Sequence, residues 1–297
     1  MTDTTPTFTS IIADTDTRAD AAIAFCTATA QGFPLGAALI AHRWRGGPAD
    51  DAVLALARYQ NADGGFGNGL EVDIAAPESN PFATRLAMQA LLALDSPPAR
   101  ADAMLAGIDR YLSTAQDANG DFRFTPDVLA GEIAPWFAGW TYPNLSPSAC
   151  LAGLASRLGI GTPDLFARVE TMIANLGDPE VARNGEFYDV LPYAEYAPLL
   201  AANGHDALLA ATADGIAARM RRPDGYDDAG HALDHALGGG DVLAARIPAD
   251  LLAEQAQRLL SEQQDDGGWP SLYGPAWRPW ITASALLQVA TVRDMSR

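Results

Sequence analysis

The chain has no lysine: its 19 basic residues are all arginine, against 37 acidic residues, and its formal net charge is −18. A lysine Schiff base is therefore excluded. The same balance argues against nucleic-acid binding, because counterion release needs a cationic face. Cys26 and Cys150 are the only cysteines, too few for a disulfide framework, and they fit a reduced, cytoplasmic protein. No apolar run reaches the roughly 18 residues a membrane span needs, so no integral membrane segment is expected. The start, Met1-Thr-Asp-Thr-Thr-Pro6, lacks the basic-then-apolar order of a secretory signal. Strand patterning is equally scarce, since no region alternates apolar and polar residues over more than a few positions. There is no Gly-x-Ser-x-Gly, and both cysteines lie in apolar helical stretches, so serine and cysteine triads have no support.

What remains is a globular composition, 48% hydrophobic with mean hydropathy near zero, over 297 residues. We expect one domain over 1–297, with 1–12 a flexible tail. Helical periodicity predicts amphipathic helices over about 49–60, 99–115, 163–176, 205–221 and 249–263, plus a first helix over 17–30 capped by Asp16 or Thr17. Between them lie apolar stretches at about 82–95, 147–158, 189–202, 231–246 and 281–292, buried on most sides. Eleven helices make nearly six hairpins, and the fold class is all-α, with amphipathic helices outside apolar ones.

The hairpins are punctuated by a repeated loop. Gln60-Asn-Ala-Asp-Gly-Gly-Phe66 and Gln263-Gln-Asp-Asp-Gly-Gly-Trp269 share one spacing. Gln116-Asp-Ala-Asn-Gly-Asp-Phe122 replaces a single glycine, and Asn184-Gly-Glu-Phe187 and Asp224-Gly-Tyr226 are decayed copies. They recur at intervals of roughly 40–65 residues, the mark of an array built from one supersecondary unit. Glycine turns the chain past a helix end, while the glutamine amide can bond the loop backbone under the aromatic ring. On this reading the loops are staples between hairpins.

A Gln-x-x-Asp-Gly-Gly-aromatic loop between an amphipathic and an apolar helix resembles the repeat of squalene/hopene cyclases and protein prenyltransferase β-subunits. The likeness is closest at 59–91, and Gly267-Gly-Trp269 through Thr282-Ala-Ser-Ala-Leu286 follows the same plan. The chain also looks like a set of bacterial proteins that carry Gly64–Gly67, Leu70–Asp73 and Ala134–Trp136 segments of this type. That second likeness brings no activity with it. The resemblance implies an (α/α)6 toroid over most of 48–295. It also implies a hydrophobic, isoprenoid-like small-molecule substrate in the central cavity, with magnesium if that substrate keeps a diphosphate. Departures are plain. The cyclase Asp-x-Asp-Asp position reads Glu78-Ser-Asn-Pro-Phe-Ala-Thr84, and Asp14-Thr-Asp-Thr17 lies outside the repeats. No Asp-x-Cys pair or basic cluster matches the zinc and diphosphate sites of prenyltransferases, so zinc is not expected.

Candidate chemistry sits on the connecting loops. Glu71, Asp73 and Glu78 form the richest acid/base group, since neighbouring carboxyls raise one another's pKa; capping or solvated carboxyls are the plainer reading. Trp136 and Trp140, with Asp127, Glu132 and Tyr142 nearby, and Trp269, Tyr273, Trp277 and Trp280 could line a cavity mouth or simply pack. Arg85 and Arg278 are the cations a diphosphate would need. Asp228, His231 and His235 share a helix face at metal-like spacing, but a polar helix face is the plainer reading and no metal site is expected. Besides the isoprenoid enzyme, a carbohydrate-active toroid enzyme (glycosidase or lyase) and a non-catalytic binding scaffold fit the same residues.

Overall fold

A computed structural model describes residues 15–28 and 32–295; the expected tail at 1–12 and the aspartate at position 14 lie outside them. Sixteen α-helices account for most of the described residues, and pairing between extended segments is limited to isolated bridges. Twelve helices are eight residues or longer, and they fall into two sets. The apolar set is α2 (Pro34–Arg45), α4 (Pro81–Leu92), α8 (Leu145–Leu158), α11 (Phe187–Ala202), α13 (Ala229–Gly238) and α16 (Arg278–Asp294). The set that alternates with it, expected to be amphipathic, is α1 (Thr15–Ala28), α3 (Ala49–Leu56), α5 (Asp102–Ala115), α9 (Pro163–Leu176), α12 (Asp206–Met220) and α15 (Ala249–Ser261); α3, α5, α9 and α15 carry a marked apolar face, and α1 and α12 do not. Four short helices, α6 (Pro126–Ala130), α7 (Pro135–Ala138), α10 (Pro179–Asn184) and α14 (Asp241–Ala244), occupy the connections.

Helix α2 completes the count that the sequence left at eleven. Its N-terminus uses Pro34 at a position where the missing N–H is harmless, and Leu35, Leu39 and Ile40 are buried. Within the apolar set, α4 packs on α8, α8 on α11, α11 on α13, α13 on α16 and α16 on α2. The buried guanidinium of Arg43 on α2 pairs with Asp294 at the end of α16 (2.7 Å) and with Asp95 just past α4. The tightest approach is between α8 and α11, where a side chain on Gly153 would meet the Glu195 carbonyl 2.0 Å away. One hydrophobic cluster runs from Ala19 to Val292 through all twelve helices.

The three repeat loops make one clamp three times. Gln60 Nε2 donates to the carbonyls of Gly64 (3.0 Å) and of Met104 on α5 (3.1 Å). Gln116 Nε2 donates to Gly120 and to Leu165 on α9, both at 3.3 Å. Gln263 Nε2 donates to Gly267 (2.9 Å) and to Arg18 on α1 (3.0 Å). Each amide therefore ties its own loop to the next amphipathic helix, and after α15 the next one is α1. Gly64, Gly120 and Gly267 hold φ of +97°, +96° and +86°, a left-handed region that favours glycine. The aromatic of each loop is buried, and Phe66 and Trp269 donate their backbone N–H groups to Thr84 and Thr282 on the following apolar helices (3.1 and 2.9 Å). The decayed copies are held otherwise: Arg219 of α12 donates to the Gly185 carbonyl.

Replacing Gln263 by alanine leaves two carbonyls without their donor. We expect a loss of about 1–3 kcal/mol in denaturant unfolding, by the desolvation of unpaired buried groups. An equal change at exposed Gln257 of α15 loses less, and equal losses at the two positions would remove the clamp from the stability of the fold.

Candidate active site

The loops that lead from amphipathic into apolar helices carry the polar groups. Between α3 and α4, the 67–79 loop folds back so that Glu71 is 6% exposed. Its Oε1 accepts the Asp73 N–H at 3.2 Å. Burial pushes the Glu71 carboxyl up to about 8, the nearby Asp73 charge adds to the rise, and the Asp73 N–H and Arg85 oppose it. Asp73 is raised too, again by burial, although the Trp277 indole donates to its Oδ2 at 3.0 Å. The long 121–146 connection lies against this loop. Ala134 N–H donates to the Asp73 carbonyl and Ala75 N–H to that of Glu132, both at 2.9 Å. A small aromatic cluster fastens the two together, with Phe82 4.6 Å from Phe137 and 5.0 Å from Trp140.

From the far side of the same region a hydrogen-bonded chain arrives. Tyr188 Oη, on the first turn of α11, donates to Tyr273 Oη at 2.9 Å. Tyr273 Oη lies 2.9 Å from His231 Nε2, and His231 Nδ1 lies 3.6 Å from Asp228 Oδ2. Asp228 caps α13 by accepting the His231 N–H at 2.7 Å. On the next turn of α13, Asp234 accepts from Gln288 of α16 at 2.6 Å, and burial lifts its carboxyl to about 6. Tyr188 is 54% exposed, yet burial raises its phenol, with Arg85, Glu71 and Asp234 among the charges it senses. Asp234 combines partial solvent contact with heavy desolvation in the same way. Glu71, Asp73, Trp277, Tyr273, Tyr188 and Asp234 thus form one polar cluster, joined by the Asp73–Trp277 and Tyr188–Tyr273 hydrogen bonds and by the Tyr273–Trp277 ring contact.

Several sequence candidates do other work. Trp269 is buried and donates its indole N–H to Leu259 at 2.7 Å, so it belongs to the core. Arg278 lies over the Phe25 ring and bonds Gln264, Asp266 and the Trp269 carbonyl, which makes it a brace for the third clamp. Arg85 is engaged in a two-point pair with Glu195 (2.8 and 2.6 Å), a carboxylate that is 1% exposed and also accepts from Gln89. Neither arginine is a spare counter-ion. Glu78 lines a surface depression of about 370 Å³ with Asn61, Asp63 and Ser79. A second depression, of about 340 Å³, lies against Arg123, Arg168 and Met172; neither is lined by Glu71, Asp73 or the tyrosines. Trp140 packs against Phe82, while Trp136 stands 56% exposed on α7.

The metal-like trio separates. His235 is buried between the Tyr226 hydroxyl and the Phe187 carbonyl, both at 2.9 Å, under the Phe187 ring, and burial holds it neutral with a pKa near 3. Its two nitrogens are spoken for, while His231 and Asp228 belong to the tyrosine chain. Among the described residues, no group of three or more His, Cys, Asp or Glu side chains is arranged to hold a metal ion. Both thiols are buried and raised, Cys26 to about 12 and Cys150 well above its usual value, which suits packing and not nucleophilic attack. Tyr188, Asp234 and Glu195 were not singled out in the sequence. The available signal was an acid inside an otherwise apolar helix, as Asp234 is in α13 and Glu195 in α11.

No family model matches the chain, and no curated protein or solved structure matches it.

The raised Glu71 carboxyl sets a pH dependence whose sign follows from linkage. Its folded-state value of about 8 exceeds the ordinary 4.5, so the folded state keeps a proton the unfolded chain has lost. Stability is unaffected below that lower value and falls as pH rises towards the higher one. Glu71→Gln should therefore stabilise the protein at pH 8, by on the order of a few kcal/mol, and leave it unchanged at pH 4. Melting curves of both proteins across this range check it; a gain that is the same at every pH would refute the buried, protonated acid.

Proposed function

We propose that the apolar helices close into an (α/α)6 toroid. We further propose that the polar cluster at their N-terminal ends lines a recess that is the active site of an acid/base enzyme for a small, hydroxylated, carbohydrate-type substrate. Two observations support closure: the chain of packing contacts from α4 round to α2, and the Gln263 clamp that returns from α15 to α1. The repeat's resemblance to cyclase and prenyltransferase toroids points the same way. The functional reading is carried by Glu71, an acid that keeps its proton at neutral pH beside the Asp73 carboxyl and a wall of Trp277, Tyr273 and Tyr188.

Chemically, Glu71 is placed to give its proton to a departing oxygen of the substrate. Asp73, steadied by the Trp277 indole, supplies negative charge where positive charge builds up on a sugar ring. The rings of Trp277 and the two tyrosines offer flat faces to C–H-rich sugar surfaces and hydroxyls to its polar edge. A hydrocarbon substrate fits less well, because it would strip water from the Asp73 and Asp234 carboxylates, whose donors here are the neutral Trp277 indole and Gln288 amide. A diphosphate also fits less well, since Arg85 and Arg278 are engaged by Glu195 and by Gln264 and Asp266.

The test is turnover of a panel of oligosaccharides and of allylic diphosphates by the purified chain. We expect cleavage of a glycan, a fall of about 10²–10⁴ in kcat for Glu71→Gln, as general acid catalysis predicts, and an unchanged fold by circular dichroism. Activity should drop as pH rises past about 8, where Glu71 gives up its proton. Turnover of a diphosphate alone would restore the isoprenoid reading, and a fully active Glu71→Gln would remove this acid.

A further inference from the structure

Glu71 can supply a proton, but an acid held in its neutral form cannot also remove one. We propose that Tyr188 is a second catalytic residue of the recess, a general base that discharges its proton through Tyr273 to His231. The inference rests on the recess being an active site, and it adds the base that site needs.

The geometry gives the chain a direction. Tyr188 Oη donates to Tyr273 Oη at 2.9 Å, which leaves its oxygen lone pairs for the recess. Tyr273 Oη and His231 Nε2 are also 2.9 Å apart. A neutral imidazole with its proton on Nδ1, the nitrogen facing Asp228 Oδ2 at 3.6 Å, presents Nε2 as the acceptor Tyr273 requires. Both phenols then point their protons one way, towards the histidine. The Phe187 ring lies 4.2 Å from the imidazole, so an imidazolium formed there has an aromatic face beside it and a carboxylate behind it. The charged groups that face this chain are Asp228 and Asp234 on α13, Arg85 on α4 and Glu71 on its loop. Here the inner end stops at a buried histidine and the outer end opens on solvent.

The step balances as a relay of one proton. A substrate C–H or O–H bond breaks, its electron pair stays on the substrate, and the proton bonds to Tyr188 Oη. The original Tyr188 proton passes to Tyr273, and the Tyr273 proton passes to His231 Nε2. Both phenols end as they began, and the net product is an imidazolium facing Asp228. Tyr273, His231 and Asp228 act through Tyr188 and are positioning residues.

The relay can be tested on the full chain without knowing the substrate. Phenylmethylsulfonyl fluoride is the probe: the phenol O–H and S–F bonds break, an S–O bond forms, fluoride leaves and the base takes the proton. Peptide mass spectrometry should find Tyr188 sulfonylated at least tenfold faster than the partly exposed Tyr59 and Tyr142. Tyr273→Phe, which removes a single oxygen, and His231→Gln should each slow that labelling about tenfold with unchanged melting curves. Nitrogen-15 NMR of the wild-type chain should show His231 protonated at Nδ1. Equal labelling in wild type and both variants, or a proton on Nε2 in the neutral ring, would overturn the proposal. Neither readout involves a sugar, so a failed glycan screen would sink the carbohydrate reading while leaving the relay standing.

Discussion

A glutamine side-chain amide with two carbonyls to serve is the interaction the architecture depends on. At Gln60, Gln116 and Gln263 one NH₂ group bonds its own loop and the next amphipathic helix. Each bond is modest in net free energy. Their placement matters more than their strength, because the carbonyls concerned sit where a helix turn meets a tight glycine loop and water has little access. A clamp of this kind fixes the angle between successive hairpins, and that angle decides where the loops entering the apolar helices converge. The polar cluster of Glu71, Tyr188 and Asp234 is built from such loops and helix ends.

Much of this order was legible in the residues. The apolar and amphipathic stretches, the loop spacing and the stapling role of glutamine all follow from local patterns, and the all-α class followed with them. Helix α2 escaped because Phe33-Pro34 and Gly36 break the local propensity, while its polar end, His42 to Arg45, hides the apolar face that Leu35, Leu39 and Ile40 bury. Glu71 and Asp73 stood out as candidates because two carboxyls on one glycine-rich loop are unusual in a staple. Arg85 and Arg278 could not be placed, because their partners are defined by packing: Glu195 stands 110 positions from Arg85. The same blindness made a metal set of Asp228, His231 and His235. Helical spacing put them on one side of α13, but the groups that engage them, Tyr273, Tyr226 and the Phe187 carbonyl, come from other elements.

Charge is distributed with the same economy. A chain at −18 cannot add carboxylates to a dry interior without a remedy for each. Three remedies are visible. Glu195 is neutralised by a two-point arginine pair, Asp73 and Asp234 keep some contact with water, and Glu71 keeps its proton. The last of these groups sits on the loop against which the 121–146 connection lies.

The bond from Gln263 to the Arg18 carbonyl spans 245 positions of sequence. During synthesis, α1 and α2 emerge early and yet have no partner for the faces that α15 and α16 later cover. Those faces stay open until the later helices are made, so the bond from Gln263 to α1 is among the slower contacts to form.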